Sequence, residues 1–251
     1  MNARWAAVRE ELMLGRLIGI LGGMGPEATL DLYREIIGLT PARRDQDHIR
    51  VLIYSNPKIP DRTRAISESG ENPLPYLIES AGLLERSGAG IIAVACNTAH
   101  YFLAEMQESI GIPILDMIEE TYRTARSLLP EAKTVGLLAA VGTVRGGIYG
   151  KVFGRTGVKV LVPDHADQRR VQAGILQIKA RAHDRSTQDT FESVGARLMK
   201  AGAEAIILGC TEIPLAFDPN GVDYPSLNST RILAQAAVDW ARGKIGKRPQ
   251  F

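Results

Sequence analysis

The chain has little of what most often carries chemistry or drives binding to polymers. It holds two cysteines, four histidines and 6% aromatic residues, and its 30 basic and 28 acidic side chains leave a net charge of +2. Two cysteines build no disulfide framework, and four histidines without ligand spacing give no expected metal site. A nearly balanced charge excludes a strong phosphate-binding face, so no nucleic-acid partner is expected; the basic cluster Arg242, Lys244, Lys247 and Arg248 reads as a solvated tail. No apolar run approaches the roughly 20 residues of a membrane span. The start, MNARWAAVREELMLGRL, mixes Arg with Glu10 and Glu11 and lacks an uninterrupted apolar core. Residues 1–15 therefore read as a helical extension, not an export signal, and the cytoplasm is the expected compartment. Thiols there more often stay reduced, with a disulfide as the competing account.

What is present is alternation. RLIGILGG reads as a buried strand and PEATLDLYREIIG as a helix, with Pro26 at its first position, Glu27 in its first turn and Gly38 at its end. IRVLIYSN, GIIAVAC and IPIL read as further strands, separated by the helical LPYLIESAGLLERSG and TAHYFLAEMQESIG. Strands alternating with helices of this length predict an α/β fold with a mostly parallel sheet.

The pattern then restarts. KTVGLLAA at 133–140 echoes GRLIGILGG at 15–23, each followed by a turn and a helix bearing Tyr and Ile, and MKAGAEAIILGCTEIP at 199–214 echoes ERSGAGIIAVACNTAH at 85–100. Buried parallel strands all resemble one another in composition. Matched order, matched spacing and a cysteine at the same strand end favour an internal duplication. The expected architecture is two pseudo-symmetric lobes with mainly parallel sheets flanked by helices and an active site in the cleft between them. Residues 16–116 plus 228–251 form the first lobe and 117–227 the second, with a junction near Asp116–Glu120. The last helix, about Thr230 to Arg242, folds back on the first lobe.

Both cysteines, Cys96 and Cys210, fall at carboxyl ends of strands, where α/β sheets bind ligands. Cys96 also precedes a helix start, whose N–H groups stabilise a thiolate. Two thiols on opposite faces of one carbon can invert a stereocentre. A thiolate removes the α-proton, and the opposite thiol returns one to the other face. The pair needs one base and one acid, so rate against pH is bell-shaped. A thiol of pKa about 8.5 is only a few per cent ionised at neutral pH, so the site must depress one of the two. Either cysteine alone reads as a small core hydrophobe; both together, at equivalent ends before polar residues, read as functional.

CNT and CTE place Asn97, Thr98, Thr211 and Glu212 beside the thiols, a carboxylate cradle or ordinary helix caps. SNPKIPDRTRAI reads as a loop over the same edge, offering Arg62 and Arg64 to a carboxylate. Two other motifs are set aside. GMGPEA fits a dinucleotide fingerprint, but the second strand ends at Ser55–Asn56 without a ribose-binding acid. His100, four residues after Cys96, suggests a Cys–His hydrolase but leaves Cys210 unexplained.

IGILGGMGPEAT, IPDRT, ACNTAH, GTVRGGIY and LGCTEIP, in this order, resemble the aspartate/glutamate racemase family, and within it the aspartate racemase branch. The resemblance runs from Arg16 to Trp240. It implies a cofactor-independent racemase whose two bases are Cys96 and Cys210. It implies that Met24 lines the substrate site and that Asn97, Thr98 and Thr143 contact the α-carboxylate and amino group. Arg62 would hold the side-chain carboxylate, with Lys179 beside it. Glu212, where glutamate racemases tend to carry His, points to the aspartate branch. A homodimer acting on an acidic amino acid, aspartate first with glutamate as a second substrate, and in either direction, is the resulting expectation. A superfamily isomerase or decarboxylase of a small dicarboxylate, using one cysteine as nucleophile, is the alternative.

Overall fold

The computed structural model describes residues 16–67 and 70–244; the extension read over 1–15, and Lys247 and Arg248 of the basic tail, lie outside the described residues. Two four-stranded sheets form the centre, and every strand pairing is parallel. The first sheet contains β1 (Ile18–Gly22), β2 (Val51–Ser55), β3 (Ile91–Val94) and β4 (Ile114–Leu115), and the second β5 (Thr134–Ala139), β6 (Lys159–Leu161), β7 (Ile206–Gly209) and β8 (Ser226–Asn228). Their orders are β2-β1-β3-β4 and β6-β5-β7-β8, the same topology twice. In each sheet the chain passes to one side of its first strand and then to the other. That reversal opens a crevice beyond the carboxyl ends of the first and third strands.

The helices of the first half are α1 (Pro26–Leu39), α2 (Arg62–Ser67), α3 (Leu74–Arg86), α4 (Leu103–Ser109) and α5 (Met117–Leu128), the last packing Ile118 and Ala125 with Val135 and Leu137 of the second sheet. The second half adds α6 (Val141–Arg145), α7 (Ile148–Gly154), α8 (His165–Lys179), α9 (Arg185–Lys200) and α10 (Ser229–Ala241). Equivalent caps follow the two edge strands. Asp116 after β4 accepts the N–H groups of Ile118 and Glu119, and Asn228 ending β8 accepts those of Thr230 and Arg231. Each satisfies donors that the first helical turn would otherwise leave unpaired. Helix α10 packs Leu233, Ala237 and Val238 with Ile18, Ile20, Leu32 and Ile36 of the first half. Each fully buried Leu, Ile or Val there contributes about 1.5–3 kcal/mol as an upper estimate.

Strand alternation decides where the thiols point. Ile92, Val94 and Cys96 share one face of β3 and pack with α3 and α4, while Ile91, Ala93 and Ala95 face α1 and α10. Ile206, Leu208 and Cys210 face α8 and α9, and Ile207 faces the opposite core. The turn after β1 needs glycine: Gly23 has φ +93°, and a Cβ there would lie 2.3 Å from the Asn56 carbonyl carbon.

Three local expectations change. The segment read as one helix from Thr98 is a 3-10 turn, Thr98–Phe102, followed by α4. Arg62, read on a loop, begins α2. The helix after β5 is two short ones, broken at Gly147 with φ +63°.

Candidate active site

Cys96 and Cys210 are both free thiols and each is 6% exposed. At the end of β3 the chain turns sharply, with Cys96 N–H donating to the Val94 carbonyl at 2.8 Å. The helix expected behind Cys96 is a five-residue 3-10 segment, so the dipole there is short. Asn97 does not cap it. Its backbone is helical, φ −58° and ψ −48°, and its side chain is committed elsewhere. Tyr149 Oη donates to Asn97 Oδ1 at 2.6 Å, and Asn97 Nδ2 donates to Ser229 Oγ at 3.1 Å. Thr98 does not cap either: its hydroxyl bonds that of Thr143, on α6, at 2.9 Å. Residues beside the first thiol are thereby tied to the second half of the chain.

His100 is buried and supports the backbone under Cys96. Its Nδ1 lies 2.9 Å from the Cys96 carbonyl, and Met117 N–H donates to Nε2 at 3.1 Å. The arrangement that satisfies both places the proton on Nδ1. Both ring nitrogens are then engaged with main chain, which leaves no lone pair to activate a cysteine.

Around Cys210 the centre is Glu212, which is 3% exposed. Cys210 Sγ donates to its Oε2 at 3.1 Å, and the Thr211 hydroxyl donates to the same oxygen at 3.2 Å. Gly25 N–H donates to Oε1 at 3.1 Å, and Lys179, from the last turn of α8, forms an ion pair with that oxygen. Burial first, and the Glu212 carboxylate second, push the Cys210 thiol well above its ordinary pKa, with Lys179 opposing them. Burial alone would lower Lys179; the Glu212 carboxylate and the two thiols outweigh it and raise its pKa.

Met24 joins the two halves through its carbonyl. Lys179 Nζ donates to it at 2.8 Å and Arg62 Nη2 at 3.2 Å. Arg62 Nη1 adds the carbonyls of Ile59 and Pro60, at 3.0 and 2.8 Å, while its buried Nε has no partner. A cleft of about 340 Å³ opens here, lined by Met24, Gly25, Ile59, Arg62, Lys179 and Glu212 among others. Among the described residues, no group of three or more His, Cys, Asp or Glu side chains could hold a metal ion, and no helix is long and apolar enough to cross a membrane.

Glu212 gathers Cys210, Thr211, Gly25 and Lys179, while Lys179 and Arg62 meet at the Met24 carbonyl, and Thr98 bonds Thr143 two residues beyond Cys96. Of the expected site residues, Met24, Arg62, Lys179 and Glu212 line the cleft; Cys96, Cys210, Asn97, Thr98, Thr143 and Thr211 are not among its lining residues. Arg64 is not among the residues lining the cleft. Tyr149 and Ser229 were missed from the sequence, because neither stands within a cysteine motif and a Tyr in an apolar helix reads as core.

Comparison with known proteins places this chain and its fold in a class. The sequence profile of the Asp/Glu/Hydantoin racemase family matches residues 21–237. The broad specificity amino-acid racemase RacX of Bacillus subtilis is 31% identical over 226 residues, covering 88% of this chain and 96% of that one. A match to the glutamate racemase of Geobacter metallireducens, 29% identical, spans only 54% of that protein. Among solved structures, the Picrophilus torridus aspartate racemase superposes with a TM-score of 0.80 at 31% identity, covering 91% of this chain and 95% of that one. An aspartate racemase homologue from Pyrococcus horikoshii gives 0.74 at 26% identity, covering 90% and 99%. The fold and these relatives define an isomerase of the amino-acid racemase class. The chain belongs to the Asp/Glu/Hydantoin racemase family.

Proposed function

We propose that the protein racemises an acidic amino acid, aspartate first, by proton transfer between Cys96 and Cys210 without a cofactor. The observation that carries this reading is the convergence of Arg62 and Lys179 on the Met24 carbonyl, which sets two cations on one wall of the cleft. Met24 and Gly25 supply that wall. Thr98, Thr143 and Thr211 supply hydroxyls, and Asn97 with them backbone N–H groups, for the α-carboxylate and ammonium.

One thiolate takes the α-proton, leaving a carbanion next to the carboxylate, and the opposite thiol delivers its proton to the other face. The pair must hold one proton between them. Cys210, buried and facing a carboxylate, holds its proton more tightly than an ordinary thiol. The next turnover begins from the reversed state unless solvent re-equilibrates the pair.

A second reading, a broader range of amino acids, is favoured by one observation: Glu212 already compensates the charge of Lys179. A neutral side chain would then lose less than two free cations would imply. We place the enzyme in the cytoplasm, where free thiols persist, and as a homodimer. The exposed Leu30, Tyr33 and Ile37 share one face of α1 and suit contact with a second copy; sedimentation as a monomer at micromolar concentration would reject that part.

The test is proton NMR of L-aspartate in D₂O with dialysed enzyme, beside Cys96→Ala and Cys210→Ala. Loss of the Cα–H signal with appearance of D-aspartate is expected, falling about 10²–10⁴-fold in each variant. Exchange with a panel of neutral amino acids but not aspartate would overturn the acidic preference. No exchange with any amino acid would overturn the racemase reading.

A further inference from the structure

The two thiols sit on different sheets, and a two-base inversion requires that both keep a fixed distance from one carbon. Something must hold the carboxyl end of β3 against the carboxyl end of β7. Two side chains, Tyr149 and Ser229, touch both. Tyr149, on α7, is 1% exposed, and its hydroxyl donates to Asn97 Oδ1 at 2.6 Å, one residue beyond Cys96. Its ring lies over Gly209, one residue before Cys210, so closely that a Cβ at 209 would stand 3.2 Å from Tyr149 Cε2.

The bridge continues through hydrogen bonds. Asn97 Nδ2 donates to Ser229 Oγ at 3.1 Å, and Ser229 Oγ donates to the Leu208 carbonyl at 2.7 Å, inside β7. Tyr149, Asn97 and Ser229 are all buried, so each bond forms without competition from water and an unmade one leaves a buried polar group unpaired. The chain Tyr149, Asn97, Ser229, Leu208 begins and ends in the second half and passes through the residue next to Cys96. Burial also keeps the phenol protonated, and hence a donor, beyond its usual pH range.

We propose that Tyr149 is a positioning residue which, with Ser229, clamps Asn97 to β7 and so sets the separation between the two thiols. It touches no reacting atom; it acts through the two strand ends. This rests on the two-thiol reading of the site, but its structural half is independent of it.

The clamp predicts a split between reactions that need two thiols and reactions that need one. Racemisation needs both. Loss of HCl from 3-chloroaspartate needs only the base: a thiolate takes the Cα proton, the Cα–H electron pair becomes the Cα=Cβ bond, and the Cβ–Cl pair leaves as chloride. In Tyr149→Phe, racemisation of aspartate is expected to fall about 10–100-fold, as for a displacement on the order of 1 Å, while elimination stays within roughly twofold. Ser229→Ala, which removes one oxygen from the other end of the clamp, is expected to shift the same ratio in the same direction. A merely structural role would lower both reactions together or neither, and either result overturns the proposal.

A second readout does not depend on activity. Amide hydrogen exchange is followed by mass spectrometry on the wild-type chain and both variants. Peptides holding Cys96 and Cys210 are expected to lose protection together, while peptides from Arg185–Lys200 keep theirs. Loss confined to the α7 peptide, or spread evenly over the chain, would overturn the clamp. If the wild-type enzyme exchanges no amino acid, the racemase reading fails, and this arm still decides whether Tyr149 couples the two strand ends.

Discussion

Cys210 Sγ stands 3.1 Å from Glu212 Oε2 and donates to it, so the thiol and the carboxylate two residues on share one proton-bearing contact. The carboxylate raises the thiol's pKa, second in effect only to burial. Removing the negative charge in Glu212→Gln should therefore move the thiolate to lower pH, helped by a Lys179 now free of its partner. The measurement is the iodoacetamide rate at Cys210 against pH in a Cys96→Ala background. The midpoint should fall; an unchanged or higher midpoint would mean that Glu212 does not govern the thiol.

Lys179→Met separates binding from stability. The substitution keeps most of the aliphatic stem and leaves Glu212, 3% exposed, without its cation. Breaking a buried pair costs about 3–5 kcal/mol; with the Lys179 side chain 33% exposed, about 1–3 kcal/mol is expected here, read from urea midpoints. KM for aspartate should rise about tenfold or more relative to that for a neutral amino acid. Equal changes for both substrates would argue that Lys179 does not recognise the side-chain carboxylate.

Gly142 marks a close approach of the two halves. A Cβ there would lie 2.7 Å from Thr63 Cα and 2.9 Å from Thr98 Cγ2. Backbone at Thr63 cannot swing aside as a flexible side chain can. Gly142→Ala should force α2 and α6 apart, costing about 1–3 kcal/mol and loosening the Thr98–Thr143 contact. Calorimetry and KM would show it; a variant with wild-type Tm would mean that the two helices part freely.

Alkaline stability should depend on Tyr224, whose hydroxyl donates to the Glu192 carbonyl and whose pKa is pushed from 10.0 to about 12, chiefly by burial. The unfolded chain loses this proton near pH 10 and the folded one near 12. Over that window the unfolded state binds fewer protons, so stability falls as pH rises. Tyr224→Phe should flatten part of the fall in Tm between those values; an identical slope would remove Tyr224 as its source.

Much of this was legible in the chain. The strands β1 to β5 and β7 were visible as short apolar runs, and the repeat as Cys96 and Cys210 at equivalent ends, whereas β6 and β8, three residues each and only partly buried, left no such run. Pro26 marked the start of α1 for a local reason. What stayed hidden was long-range. Nothing near Asn97 announces that its amide bonds Tyr149 and Ser229 rather than its own helix. Nothing near Lys179 shows that Glu212 already holds it. The break at Gly147 and the 3-10 turn at Thr98 escaped because the periodic pattern continues through both.

The repeated strand order has a thermodynamic consequence. Mirror-image substrates have equal free energies in water, so the ratio of their kcat/KM values must be unity whatever the protein does. Two matched sheets, each ending in a thiol, could also make kcat and KM equal for the two hands. The surroundings of the thiols are unequal: a carboxylate and an ammonium stand beside Cys210, and a histidine bonded to main chain lies beneath Cys96. Any handedness in this enzyme must therefore appear as compensating differences in kcat and KM, and its source is the broken symmetry of the walls.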